Sequence, residues 1–457
     1  MKKLATIIIC LIFVICLFSG CNNPEVPDPM PEQDQPTNSL SMAMVPFKIA
    51  ADNGYPVEGY GNDDGFYSLR RNQETDSQDM SCNILYIDYA TKKQIYLCAQ
   101  PNCGHDNETC TSRIDAEYEM YTAALAIVGD KLAVIHLGVK PYIDIMDLSG
   151  ANKKTLCEFE DGAFINEDVI ASNGQYLMLG VDRYSHDEND NLVSVANTLC
   201  AIDIITGEQI TIYSHAADNN NPDGVYVGMR LAGVSETGVI IRVTTIEQYQ
   251  TVEDPEITYE NMMNATRHEY FSLPYDGGEM VSLVSFYESS GYGKACMAGP
   301  YIVYILRDGD TVKLYRTHTA TGETVTLIDD FTKTDIDTEA SYNLLEDVWV
   351  DRYFIDNKIF IRHMYGISDG IQRVVDYYAV DINSGEMQQL TLSYNYYGIS
   401  IPLTILARFG DKLLVHAKTK EIDDGRAMNR IIYSSAIISV DDYLASNPNF
   451  DWIDTVS

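Results

Sequence analysis

Along most of this chain, apolar residues arrive in short runs that favour every second position and are broken at intervals by Gly, Asp, Asn and Thr. The clearest example is residues 198–211. Leu199, Ala201 and Ile202 open an apolar stretch, Thr206 and Gly207 interrupt it, and Ile210 and Ile212 then alternate with Gln209 and Thr211. A period of two on both sides of such a break predicts strand, tight turn, strand, with one face of each strand in a core. Gly207 supplies the positive φ that the turn requires. The pattern returns at 377–386, 314–323 and 270–279, more loosely at 143–150 and 85–92, and without its Gly at 433–440. A second pattern, a turn pair followed by an apolar run, precedes most copies: 129–135, 173–179, 356–361 and 410–415. Each unit therefore reads as three or four antiparallel strands. Units of this size repeated along a chain predict an all-β fold, a β-propeller of four-stranded blades. Seven copies predict seven blades, with six or eight also compatible, since an end strand can close the ring across the termini. No helix of convincing length is expected; 114–120 and 441–446 allow a turn or two each.

The first residues follow other rules. Lys2 and Lys3 precede an almost wholly apolar run from Leu4 to Phe18, too short to span a bilayer and placed as an export signal is. It ends in Leu17, Phe18, Ser19, Gly20 and Cys21, which resembles the lipobox of bacterial lipoproteins, although Phe18 departs from the usual Leu. The alternative is an ordinary signal peptide with an incidental Cys. The resemblance implies a lipid on Cys21 after cleavage, and so a protein anchored by acyl chains to the outer face of the cytoplasmic membrane without spanning it. The organisation expected is a signal peptide at 1–20, a tether at 21–41 with Pro24, Pro27, Pro29, Pro31 and Pro36, and a propeller at 42–457.

Charge narrows the partners. With 67 acidic and 31 basic residues the chain carries a formal −36. Such a surface repels nucleic acid and anionic headgroups and keeps a monomer soluble. The chain has 32 tyrosines against two tryptophans, and tyrosines on loop tips suit a protein, peptide or glycan ligand, though Tyr is also a good strand residue.

Cysteine supplies the one constellation with chemistry in it. Of ten cysteines, Cys10 and Cys16 leave with the signal and Cys21 is the lipidation candidate. Cys82, Cys157, Cys200 and Cys296 stand alone in expected strands, as small hydrophobes do. The rest fall in C-x4-C-x-H-x4-C: Cys98, Cys103, His105 and Cys110, with Pro101 and Gly104 bending the chain between them. Three thiolates and an imidazole at short spacings around a turn fit a structural Zn²⁺ site of the Cys3His type. A disulfide, Cys98–Cys110 or Cys103–Cys110, is the alternative that export allows, and free thiols are the third reading. The expected place is a loop on the outer edge of the first blade, with Cys103 and His105 sent to one side by an extended backbone. The lipobox, the blade repeats and this Cys-Pro-Cys-His-Cys cluster together resemble uncharacterised lipid-anchored β-propeller lipoproteins of anaerobic Gram-positive bacteria. That resemblance implies the fold and the anchor and brings no activity with it.

Enzyme signatures are weak. Residues 366–370 match G-x-S-x-G, but the elbow must lead from a strand into a helix, and a strand pattern follows. Residues 187–191 alternate oxygen ligands as a Ca²⁺ loop does, yet lack its central Gly and closing Glu. His136, His363 and His416 fall in second strands and either line the channel or serve as ordinary strand residues. Two classes of function remain: a cell-surface propeller acting as a binding or scaffold module without catalysis, and a propeller enzyme, a glycan- or peptide-directed hydrolase or lyase, with its site at the central funnel.

Overall fold

The computed structural model describes residues 46–52, 59–71, 81–115, 123–137, 140–186, 192–218, 226–247, 255–275, 279–288, 295–308, 311–330, 347–367, 372–396, 399–422 and 430–456. They build a ring of seven antiparallel blades, a seven-bladed β-propeller. Each repeated stretch of sequence is the third strand of a blade: Cys82–Asp88, Tyr142–Asp147, Leu192–Asp203, Thr266–Pro274, Thr311–His318, Gln372–Asp381 and Arg430–Ser439. The runs after the turn pairs are second strands, among them Lys131–His136, Lys358–Ile367 and Lys412–Ile422. First strands form the inner wall. They meet from blade 1 through to blade 6, and across the chain ends blade 7 meets blade 1.

Burial is organised between blades. The described residues form seven apolar clusters, one at each interface. In the second strand of blade 7, Leu413 and Val415 pack towards blade 6 while Leu414 packs towards blade 1, all fully buried. The middle strands are thus covered on both faces, so their apolar runs are nearly continuous, as in any sheet sandwiched on two sides. The sequence reading of one buried face holds only towards the outer strands, where Lys93–Tyr96 alternates exposed and half-buried positions.

The turn after the third strand explains the recurring Gly. In blade 3, Asp203 Oδ1 accepts from the Ile205 and Thr206 amides at 2.8 and 2.9 Å, and Gly207 has φ 76°. Blade 6 repeats this with Asp381, Asn383, Ser384 and Gly385 at φ 73°. A Cβ on Gly207 would lie 2.3 Å from Leu156 O of blade 2, and one on Gly385 2.3 Å from Leu327 O of blade 5. The glycine therefore serves both the turn and the seam with the preceding blade. Blade 7 lacks it because Ser439 caps a short helix, Val440–Leu444, with its Oγ accepting from the Asp442 amide at 3.0 Å.

Three elements depart from the sequence expectation. A helix, Pro255–Ala265, is inserted between the second and third strands of blade 4. It starts on a Pro, whose missing N–H costs nothing there, and it leaves Ile257 and Tyr259 exposed, so it carries no apolar stripe to betray it. A hairpin, Ser393–Tyr396 with Ile399–Pro402, fills space between blades 6 and 7. Most consequential is the strand Lys48–Asp52. It pairs with the first strand of blade 3, inside the ring, and touches the first strands of blades 1, 2 and 4. Ala50 is buried there and the Tyr60 hydroxyl donates to Ile49 O at 2.6 Å. The side of the channel bordered by blades 1 to 4 is therefore lined by an extra strand.

Ring closure uses the other end of the chain. After the two-residue outer strand of blade 7, Asp454 crosses to the outer strand of blade 1: Gln94 N donates to Asp454 O at 2.8 Å and Asp454 N to Lys92 O at 2.9 Å. Arg70 then donates to Val456 O at 3.1 Å.

Candidate metal centre

The outer strand of blade 1 is split. Lys93–Tyr96 pairs with one end of the third strand and Arg113–Ile114 with its other end, at Cys82 and Asn83. The intervening residues bulge out as the loop that carries the cysteines. Both ends are pinned to the strand beneath, since Leu97 N donates to Ile84 O at 2.9 Å and Ile84 N to Ser112 O at 2.8 Å. The ligand atoms of Cys98, Cys103, His105 and Cys110 all lie within 4.8 Å of one another. Zn–S bonds of about 2.3 Å give a tetrahedron with S···S edges of about 3.8 Å, so a modest contraction of the loop completes the site. His105 Nδ1 and Cys110 Sγ are already 3.4 Å apart.

The loop closes by turns, in contrast to the extended backbone expected from the spacing. Asn102 and His105 both have positive φ, 59° and 61°. His105 is held by its neighbours in that uncommon conformation. Its ring stacks on Tyr96 with centroids 4.4 Å apart, and its carbonyl accepts from Asn83 Nδ2 at 3.2 Å. Ser112 Oγ bridges Cys110 Sγ at 3.0 Å and Asn83 Oδ1 at 3.2 Å. Asn83, Tyr96 and Ser112 are thus the outer support of the donor set, the role that fixes ligand orientation in metal sites. None announces itself in sequence, because each belongs to, or flanks, an ordinary strand.

The electrostatics are those of thiols sharing a small volume. Burial pushes the Cys98 thiol up, but the Gln100 amide, the Thr111 hydroxyl and Cys110 outweigh it and bring it down to about 6. The His105 amide favours the Cys103 thiolate, yet burial and the neighbouring Cys110 and Cys98 push it up to about 11. Adjacent thiolates repel, and a divalent cation between them reverses that repulsion. All seven described cysteines are free and no pair of sulfurs is at disulfide distance. The disulfide alternative is not what the structure holds, and the donor chemistry fits a metal of the zinc type. The solitary cysteines are inert by comparison: burial pushes Cys157 up to about 11 and Cys296 up to about 12.

His136, His363 and His416 do not converge. They occupy matching second-strand positions, opposite Ala123, Val348 and Thr404, in blades 2, 6 and 7. His136 Nε2 meets Asp144 Oδ2 at 3.0 Å, and His416 Nδ1 meets Ser435 Oγ at 3.1 Å with its ring stacked on Tyr433. His363 is buried. They are strand residues, one strand removed from the channel wall. Gly366 and Ile367 end the second strand of blade 6 and pair with Arg373 and Gln372 of the third, so the G-x-S-x-G stretch is followed by an antiparallel strand and not by a helix; residues 368–371 lie outside the described residues. Residues 187–191 and Cys21 also lie outside them. Among the described residues no helix is long and apolar enough to cross a membrane.

No protein-family model and no curated protein sequence matches this chain. Among solved structures it is similar to a Pyrococcus horikoshii acylaminoacyl peptidase at 11% identity and TM-score 0.46, covering 91% of this chain and 53% of that one. It is similar also to a puromycin hydrolase, 11% identical at TM-score 0.46, with 92% and 56% covered. A third likeness is to an oligogalacturonate lyase from Vibrio parahaemolyticus, 12% identical at TM-score 0.41, with 87% and 98% covered. The chain spans about half the length of the first two. At these identities the likeness is one of fold, and the chemistry of those enzymes stays with them.

Proposed function

We propose that this chain is an exported, lipid-anchored propeller that works as a binding or scaffold module on the outer face of the cytoplasmic membrane, with one structural zinc ion on Cys98, Cys103, His105 and Cys110. The observation that carries the binding reading is the strand Lys48–Asp52 inside the ring. A propeller enzyme needs acids or histidines converging on an open funnel; here a strand lies against four of the inner walls, and the histidines of blades 2 and 7 are engaged within their blades. Four protein donors fill a zinc tetrahedron and leave no position for a substrate, so the metal ties the loop to blade 1 and does no chemistry. Cys21 supplies the anchor, and the acidic surface favours protein, peptide or glycan ligands over nucleic acid.

The test is turnover. The purified chain incubated with polysaccharide and peptide panels is expected to retain ligands without releasing products. Product formation abolished by a single carboxylate or His substitution at the channel would establish the propeller enzyme instead.

A further inference from the structure

Blade 4 contains an arrangement that stability alone does not explain. Arg230 on its first strand lies directly opposite Arg242 on its second, and Tyr270 on the third strand continues the same row. Two like charges facing across a ladder repel. Arg230 is neutralised by Asp182 of blade 3, Nη1 to Oδ2 at 2.8 Å. Arg242 has no such partner among the described residues: its Nε is buried without an acceptor. Glu288 feels the Arg242 charge but pairs with His268 at 3.4 Å.

The third member of the row is in the same condition. Tyr270 is 2% exposed, and its hydroxyl, though close to Arg242 and the Ala295 backbone, makes no hydrogen bond of normal geometry. The ring is fixed by stacking on Phe286 at 6.0 Å, which stacks in turn on Tyr304 of blade 5 at 5.4 Å. A buried donor left unpaired is costly, and two side by side are rare without a guest.

Both side chains line a cavity of about 160 Å³ where blades 3, 4 and 5 meet, with Ile49 of the strand inside the channel in its wall. That size is close to the ~150 Å³ known to admit a six-carbon ring. Beyond the polar row its walls are apolar: Ile49, Val169, Leu231 and Met297. On a chain of formal charge −36 this is a local reversal of sign, a guanidinium with no ion pair among the described residues at the end of an apolar slot.

We propose that this cavity binds the carboxylate of a small apolar acid, with Arg242 as counter-charge and the Tyr270 hydroxyl as second donor. An ionised acceptor meets both orphan donors at once, through the charge-assisted hydrogen bonds Arg makes best, while the apolar walls take a body of a few carbons. Phosphate or sulfate would leave those walls against a hydrated ion. The proposal rests on the reading of a binding propeller and gives it a ligand class.

Calorimetric titration of the full folded chain with butyrate and with the neutral isostere butyramide tests it without any variant. Butyrate is expected to bind at least tenfold more tightly than butyramide, and more tightly than inorganic phosphate. Arg242→Gln should weaken butyrate at least tenfold, and Tyr270→Phe, which keeps the ring stack, about threefold. Equal binding of acid and amide, preference for phosphate, absence of butyrate binding, or a Tyr270→Phe variant of unchanged affinity would overturn the assignment. Failure here leaves a binding propeller with a macromolecular partner standing. Turnover in the panels above, with butyrate binding intact, would remove that reading and keep the pocket.

Discussion

Replacing Gly207 with Ala isolates what a blade seam is worth. At φ 76° an Ala adopts the left-handed region, which costs about 1–2 kcal/mol. Its Cβ would also sit 2.3 Å from Leu156 O, far inside the 3.0 Å that real Cβ contacts respect. Relief requires the turn of blade 3 to back away from blade 2, an overpacking strain of about 1–3 kcal/mol. The sum is about 2–5 kcal/mol for Gly207→Ala. Gly322 is the internal control: it has φ 70° in the same turn of blade 5, but a Cβ there meets nothing within 4 Å. Gly322→Ala should therefore lose only the backbone share, about 1–2 kcal/mol. Gly385→Ala, again 2.3 Å from a carbonyl, should behave as Gly207→Ala does. Urea unfolding followed by far-ultraviolet circular dichroism measures the three midpoints, and the spread between variants is sounder than any absolute stability for a ring this large. Equal destabilisation by all three substitutions would refute the seam argument, and so would a larger loss at Gly322.

Other outcomes follow from the sites. Protein purified anaerobically should carry one zinc per chain by elemental analysis, and His105→Ala should lose it; a metal-free protein two daltons below the reduced mass would show a disulfide instead. Metabolic labelling with a clickable fatty acid should mark the wild type and not Cys21→Ala, and equal labelling of both would remove the anchor. Burial lowers the His416 pKa from 6.5 to about 4, so the unfolded chain binds the extra proton first. Stability attributable to His416 is complete above about 6.5 and is lost as pH falls towards about 4. His416→Gln should flatten the stability profile across that window, and an unchanged profile would show the imidazole to be solvated.

What the sequence made legible was what local chemistry dictates. A Gly after Asp203 or Asp381 is forced by the turn, so third strands could be located one by one. The Cys98–Cys110 spacing needed only a short loop to bring its ligands together. The remainder depends on partners remote in sequence. Whether Lys48–Asp52 would sit inside the ring depends on the first strand of blade 3 having a free edge, which lies more than a hundred residues away. Asn83 and Ser112 support the cysteine cluster only because two pieces of outer strand flank one third strand. The Arg230–Arg242–Tyr270 row exists through register, and register is silent until the strands pair. The helix Pro255–Ala265 escaped because a helix with no buried face has no periodicity to read.

Closure by Asp454 and Val456 has a consequence for assembly. A chain is made from its N-terminus, so blade 1 is the earliest blade to emerge. Among the described residues its flank of Phe66, Ile87 and Tyr89 is covered by blade 7, through Leu406, Ala407, Phe409, Leu414, Ile437 and Ile453. Until blade 7 arrives, the oldest part of the ring keeps an apolar side open to water, and the docking of that blade decides when the protein stops being adhesive.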